Sequence, residues 1–185
     1  MLIGDPLTFA IESEITKRWK GPSLGALGYF IIHVNAHCYG VKSPDATMLA
    51  NSFGEVEARI AMRGRHTAPF ATADAFELAD AYSRAIYIES REDELFLGMP
   101  EAQFTAAIYS RQLIWAPDGD EAFDDGSHVL QFDVDDRVRI VAFNRPDWLP
   151  DPRSINEIWL PANDFYCTLE EWREGFQKQL SMLPL

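Results

Sequence analysis

Residues 113–143, LIWAPDGDEAFDDGSHVLQFDVDDRVRIVAF, decide the fold that we expect for this chain. The segment predicts a short strand, an acidic loop, and then two strands joined by a tight turn. The first apolar run, 113–115, stops before Pro117, which cannot donate a hydrogen bond to a strand partner. The later runs, 129–134 and 138–143, are rich in β-branched and aromatic residues. We therefore expect this stretch to form the middle of a sheet.

The register of the last two strands can be inferred from their apolar residues. A three-residue loop over 135–137 pairs Val134 with Val138, so that the two apolar sets share one face. It also sets Asp133 opposite Arg139, which is a favourable charge pair. A two-residue loop would instead place apolar residues opposite arginines, so we expect the longer loop. The two sets are Leu130, Phe132 and Val134 on the first strand, and Val138, Ile140 and Ala142 on the second.

Strands and helices surround this segment in an order that indicates the fold class. Residues 7–15 and 27–34 predict strands, the turn at 35–36 predicts a hairpin, and 158–160 predicts a last short strand. Helices are expected to begin at caps Ser52, Thr72 and Thr168 and after Pro100. The order predicts a single α+β domain over residues 1–185, with helices packed on a largely antiparallel sheet.

Composition restricts the classes of partner. The chain has 185 residues, of which 47% are hydrophobic, so it is long enough to form one well-packed core. Its 29 acidic and 16 basic residues give a net charge of −13. Such a charge repels nucleic acids and anionic membranes and attracts basic partners. We therefore expect a protein partner, no nucleic acid and no membrane; the oligomeric state stays open.

The cysteines and the N-terminal residues bear on the compartment. Cys38 and Cys167 form no disulfide framework and no zinc pattern, and reduced, buried thiols are expected. The N-terminus has no basic segment followed by an apolar one, so no signal peptide is expected. No apolar run approaches the roughly 18 residues of a membrane helix. A cytoplasmic protein is the resulting expectation.

Five carboxylates occupy the loop between the first two strands of the central segment: Asp118, Asp120, Glu121, Asp124 and Asp125. Calcium is the first chemistry to test. An EF-hand loop beginning at Asp118 needs glycine at its sixth position and glutamate at its twelfth, but Phe123 and Val129 stand there. We therefore expect no metal. Taken one at a time, each of these carboxylates can also be explained as part of a turn between strands, since such turns are rich in aspartate and glycine. No lysine or arginine occurs between 112 and 137, so the density of charge favours a positively charged partner.

The remaining candidates for chemistry lack a recognisable spacing. His33, His37 and Cys38 lie close in sequence but match no zinc motif, and no local signature marks either cysteine as a nucleophile. We therefore expect no enzymatic activity and no cofactor. A metal-dependent hydrolase that uses the loop carboxylates stays an alternative.

Two tryptophans are candidate anchors for a partner. Trp115 leads into the acidic loop and Trp148 lies between prolines. Aromatic anchors of this kind dominate many protein interfaces, although burial in the core is the alternative for each. The expected partner-binding set is therefore Trp115 and Trp148 together with the five carboxylates Asp118, Asp120, Glu121, Asp124 and Asp125.

Several stretches resemble the bacterial polymorphic-toxin immunity protein 42 family. They are GDPLTFAIESEI, GYFIIHVNAHCYGV, SFGEVEARIAMRGRHTAPF and, most distinctively, WAPDGDEAFDDGSHVLQFDV. The likeness covers nearly the whole chain. It implies a protein encoded beside a toxin, which binds the cognate secreted toxin domain tightly and neutralises it without catalysis. It implies no particular residues, and a generic protein-interaction domain stays a further alternative.

Overall fold

A computed structural model describes residues 1–19, 25–89, 93–115 and 121–183. Its strands are β1 (Leu2–Gly4), β2 (Phe9–Arg18), β3 (Ala26–Val34), β4 (His37–Tyr39), β5 (Thr47–Met48), β6 (Leu95–Phe96), β7 (Met99–Pro100), β8 (Ser127–Val134), β9 (Arg137–Asn144) and β10 (Asn156–Pro161). Its helices are α1 (Leu49–Ala61), α2 (Ala75–Tyr87), α3 (Glu101–Ser110) and α4 (Ala162–Met182). Two single 3₁₀ turns lie at Glu121–Phe123 and Pro152–Ser154.

The strands form antiparallel sheets, which confirms the expected α+β class. A five-stranded sheet has the order β1-β2-β3-β4, with β5 also paired to β3. A three-stranded sheet has the order β10-β9-β8, and β6 and β7 form a small hairpin. The expected hairpin at Asn35–Ala36 joins β3 to β4, and both turn residues have positive φ.

The three-stranded sheet separates two hydrophobic cores. One face, which carries Val129 and Ile140, packs with the five-stranded sheet, α1 and α4. The opposite face, which carries Leu130 and Phe132, packs with α2 and α3. All four of these side chains are at most 1% exposed. The sheet therefore lies between the two cores. The expectation that the whole stretch forms the middle of a sheet holds only for β9, because the strand order is β10-β9-β8.

The register predicted for β8 and β9 is wrong. A two-residue turn, Asp135–Asp136, pairs Val134 with Arg137 and Phe132 with Arg139, so Phe132 and Ile140 lie on opposite faces. The prediction assumed that arginine would avoid a buried face. Arg139 is only 1% exposed, but its guanidinium donates to Ala71 O at 2.7 Å and to Glu157 Oε1 at 3.0 Å. Hydrogen bonding thus removes most of the cost of its burial.

The strand expected at residues 113–115 is reduced to one bridge, between Ile114 and Leu130. Backbone hydrogen bonds hold the segment beside β8, from Trp115 N to Val129 O and from Gln131 N to Leu113 O, both 2.8 Å. The third strand of the sheet is β10, which pairs with β9.

Helix positions agree with the sequence better than helix starts do. The helices expected near Thr72 and Thr168 are present as α2 and α4, and α3 begins directly after Pro100. The predicted caps are wrong: Ser52 and Thr168 lie inside α1 and α4, and Asp74 caps α2 in place of Thr72. Asp74 Oδ1 accepts from Phe76 N at 2.9 Å. None of the helices within the described ranges is long and apolar enough to cross a membrane.

Candidate functional site

The described part of the acidic loop is fixed to the body of the protein by its apolar residues. Glu121–Phe123 forms a single 3₁₀ turn in which Ala122 and Phe123 are buried at 0% and 8% exposure. Glu121, Asp124 and Asp125 are exposed. The alternation of apolar and acidic residues therefore holds the turn in place while it directs the carboxylates to solvent.

Backbone hydrogen bonds join this turn to its neighbours on both sides. Ala122 O accepts from Val41 N, and Gly126 O accepts from Arg145 N, both at 2.8 Å. Gly126 has φ +81°, and a Cβ there would lie 2.8 Å from Arg145 O, so the close approach requires glycine. Asp125 Oδ1 accepts from Ser127 N at 3.0 Å. These hydrogen bonds and the close approach at Gly126 fix the position of the acidic turn relative to the sheet.

The loop that follows β9 exposes apolar side chains at the same end of the three-stranded sheet. Trp148 is 67% exposed and Leu149 is 49% exposed, and Asp147 beside them is also exposed. The hydrogen bond from Asp151 N to Asn144 O, 2.9 Å, closes this loop. Ser127 at the start of β8 pairs with Asn144 at the end of β9, which places the loop and the acidic turn at one end.

These two loops together form what we call the acidic–aromatic surface: Glu121, Asp124, Asp125, Asp147, Trp148 and Leu149. Asp147 and Leu149 were not expected from the sequence. Their only signal was the position between Pro146 and Pro150, which keeps the segment out of the sheet.

The other members of the expected partner-binding set are not part of this surface as the structure describes it. Trp115 is 1% exposed and packs against Phe30 in the core, so it is not available as a surface anchor. Its apolar neighbours 113–114 already favoured burial. Asp118 and Asp120 lie outside the described residues.

A buried polar cluster, which the sequence did not reveal, lies between α1, α4 and β8. The Tyr166 hydroxyl donates to Asp133 Oδ1 at 2.8 Å and accepts from Gln131 Nε2 at 3.0 Å. Burial, followed by the adjacent Asp133 carboxylate, raises the pKa of Tyr166. Arg59, which is 0% exposed, donates to Gln131 Oε1 at 3.0 Å. These hydrogen bonds offset much of the cost of burying the polar groups, although the buried Arg59 Nε has no hydrogen-bond partner among the described residues.

The cysteines are free, as expected, but both are exposed where buried thiols were expected. Over the described ranges, no group of three or more His, Cys, Asp or Glu side chains is arranged to hold a metal ion.

Comparison with known proteins identifies the family. The model of the family described as immunity protein 42 matches residues 1–175. No curated protein matches the chain. A solved structure, the crystal structure of CdiI from Burkholderia dolosa AUO158, is similar in fold, with a TM-score of 0.58 and 16% sequence identity. That likeness covers 92% of this chain and 97% of the other. The match over nearly its whole length shows that the chain belongs to the immunity protein 42 family.

Proposed function

We propose that this immunity protein neutralises its cognate toxin domain by binding it, without catalysis, through the acidic–aromatic surface. The observation that carries the proposal is an exposed tryptophan and leucine beside exposed carboxylates. A large aromatic anchor surrounded by polar residues is the arrangement that supplies most of the energy of many interfaces. Loops fixed at the end of a rigid sheet are also where binding residues concentrate.

The charge of the protein indicates the chemistry of the toxin. A net charge of −13 and the carboxylates of the surface favour a basic partner. A nuclease needs basic residues to hold phosphates, so a nuclease domain is the class of toxin that fits best. We assign the encounter to the cytoplasm, a reducing compartment in which a chain with two cysteines and no disulfide framework can fold.

The charged half of the surface can be tested by the rate of association. The triple variant Glu121→Gln, Asp124→Asn, Asp125→Asn changes the net charge from −13 to −10. The matched control, Glu57→Gln, Glu171→Gln, Glu174→Gln, makes the same change at exposed positions on α1 and α4. We expect the first variant to associate with the toxin about tenfold more slowly at low salt and to show a flatter salt dependence.

Both variants should melt close to the parent temperature, because exposed charges contribute little to stability. Equal association rates and equal salt dependence for the two variants would place recognition elsewhere on the protein.

The aromatic half of the surface should slow dissociation of the complex with the toxin. Trp148→Ala removes the exposed anchor and should weaken binding by about 2 kcal/mol, mainly through faster dissociation. Phe76→Ala, at a residue that is 46% exposed on α2, is the control for loss of an exposed aromatic side chain. Binding by Trp148→Ala that matches binding by Phe76→Ala would contradict the role assigned to Trp148.

A further inference from the structure

A thiol, an imidazole and a carboxylate lie in line on the face of the five-stranded sheet that is turned away from the core. Cys38 on β4 pairs directly with His33 on β3. The Cys38 Sγ lies 3.4 Å from His33 Nδ1, and Glu12 Oε2 lies 3.1 Å from His33 Nε2. The imidazole thus connects the thiol to the carboxylate through its two nitrogens.

The carboxylate at the end of this line is itself held in place. Lys42 Nζ lies 2.7 Å from Glu12 Oε1, and the Tyr29 hydroxyl donates to the same oxygen at 3.2 Å. Partial burial of Glu12 favours its neutral acid, but the hydrogen bonds from Lys42 and His33 outweigh burial and lower its pKa. Glu12 is therefore a carboxylate at neutral pH, and it can stabilise a positive charge on His33.

The arrangement has the order of an activated nucleophile: a thiol, a base within hydrogen-bonding distance, and a third group that orients the base. In the tautomer in which Nε2–H donates to Glu12, Nδ1 of His33 can accept the thiol proton. The geometry does not suit a metal ion, because the thiol and the carboxylate approach opposite nitrogens of one ring and do not converge on a point.

We propose that Cys38 is a nucleophilic thiol and a modification site, which peroxides oxidise to a sulfenic acid. His33 takes the proton from the thiol, and the sulfur attacks one oxygen of hydrogen peroxide. The S–O bond forms while the O–O bond breaks, and the departing hydroxide receives the proton from His33 and leaves as water. The sulfur is oxidised by two electrons and the peroxide is reduced, so thiol and peroxide give sulfenic acid and water.

The position of Cys38 suits a small reagent. Its side chain is exposed on the sheet surface, so an oxidant of the size of hydrogen peroxide needs no substrate cleft to reach it. Cys167 is also exposed, on α4, and provides an internal comparison within the same chain. The inference does not depend on toxin binding, and its failure would leave the proposed function standing.

The test uses the reduced, full-length protein at neutral pH. Limiting iodoacetamide is added, and the alkylation of each cysteine is followed by mass spectrometry of its peptide. We expect Cys38 to react at least about tenfold faster than Cys167, because Cys38 has the His33 base within hydrogen-bonding distance. In parallel, hydrogen peroxide with dimedone, which traps sulfenic acids, should label Cys38 before Cys167.

The variant His33→Gln tests whether the reactivity of Cys38 comes from the neighbouring base or only from the exposure of the thiol. It should slow alkylation of Cys38 to about the rate of Cys167, while the rate of Cys167 and the melting temperature report that the fold is intact. Equal reaction rates of the two cysteines in the parent protein would overturn the proposal, and this comparison requires no variant. An unchanged rate of Cys38 in a folded His33→Gln protein would overturn it as well.

Discussion

Arg59 is a fully buried cation. Its guanidinium donates hydrogen bonds to buried backbone and side-chain oxygen atoms. It donates to Gln112 O at 3.3 Å, to Ile114 O and to Gln131 Oε1, and it lies 4.5 Å from the centre of the Trp115 ring. Glu55 Oε1 is 2.7 Å away and compensates its charge. The residue therefore fastens α1 to the segment that precedes β8.

Replacing Arg59 with methionine should lower the free energy of unfolding by about 3 kcal/mol. The reason is that the buried acceptors lose their donor, while methionine preserves most of the side-chain volume. Urea titration measures the change. The control is Arg63→Met at an exposed arginine just after the end of α1, which should cost less than about 1 kcal/mol. Equal costs for the two variants would contradict the structural role of Arg59.

We expect His66 to make the stability depend on pH. Burial, followed by the nearby charge of Arg59, lowers its pKa from the ordinary value of 6.5. As the pH falls through about 6.5, His66 therefore gains a proton in the unfolded chain but not in the folded chain. The contribution of His66 to the free energy of unfolding is thus fully present above that pH and is lost progressively below it. We expect His66→Gln to flatten this slope between about pH 5 and 6.5 in urea titrations. An unchanged slope would show that His66 is protonated equally in both states.

Neither of these residues could be found from sequence patterns. Periodicity assigns polar residues such as Arg59 and His66 to solvent, because burial of a polar group is favourable only when a partner is in place. Apart from Glu55, the partners of Arg59 come from 112–114 and from β8, which are more than 50 positions away in sequence. By contrast, exposure of Glu121, Asp124 and Asp125 followed from a local pattern of acidic and apolar residues.

At the scale of elements, the sequence located strands and helices better than it aligned them. The strands around 130 and 140 were recognised by their apolar content, but both faces of their sheet are buried. Because both faces carry apolar residues, the alternation of apolar and polar side chains along the strands cannot distinguish one register from the next. Likewise α4 was recognised as a helix, whereas Thr168, its predicted cap, lies inside it.

The observed register predicts which side chains are energetically coupled. Phe132→Ala should cost about 3–5 kcal/mol because it empties a buried site. A double-mutant cycle with Phe70, whose ring centroid lies 6.2 Å from that of Phe132, should give a coupling energy above about 0.5 kcal/mol. The same cycle with Ile140, on the opposite face, should give less. A stronger coupling of Phe132 to Ile140 than to Phe70 would support the shared face that the sequence suggested.

At the scale of the whole molecule, the family followed from distinctive stretches of sequence, while the surface required the structure. The carboxylates 121–125 and Trp148 are about 25 positions apart, and only the pairing of β8 with β9 brings their loops to one end of the sheet. Exposure of Leu149 depends on how its loop packs on distant elements, and the sequence left both burial and exposure open for Trp115.

Mixing the purified protein with its cognate toxin domain tests the central claim, neutralisation by binding without catalysis, most directly. We expect a complex of one immunity protein with one toxin domain, measured by calorimetry and by gel filtration with light scattering. Toxicity should disappear at one equivalent and not before. After denaturation, mass spectrometry should find both chains with their original masses. The absence of a complex, inhibition at well below one equivalent, or a toxin chain that has been cleaved or modified would contradict the claim.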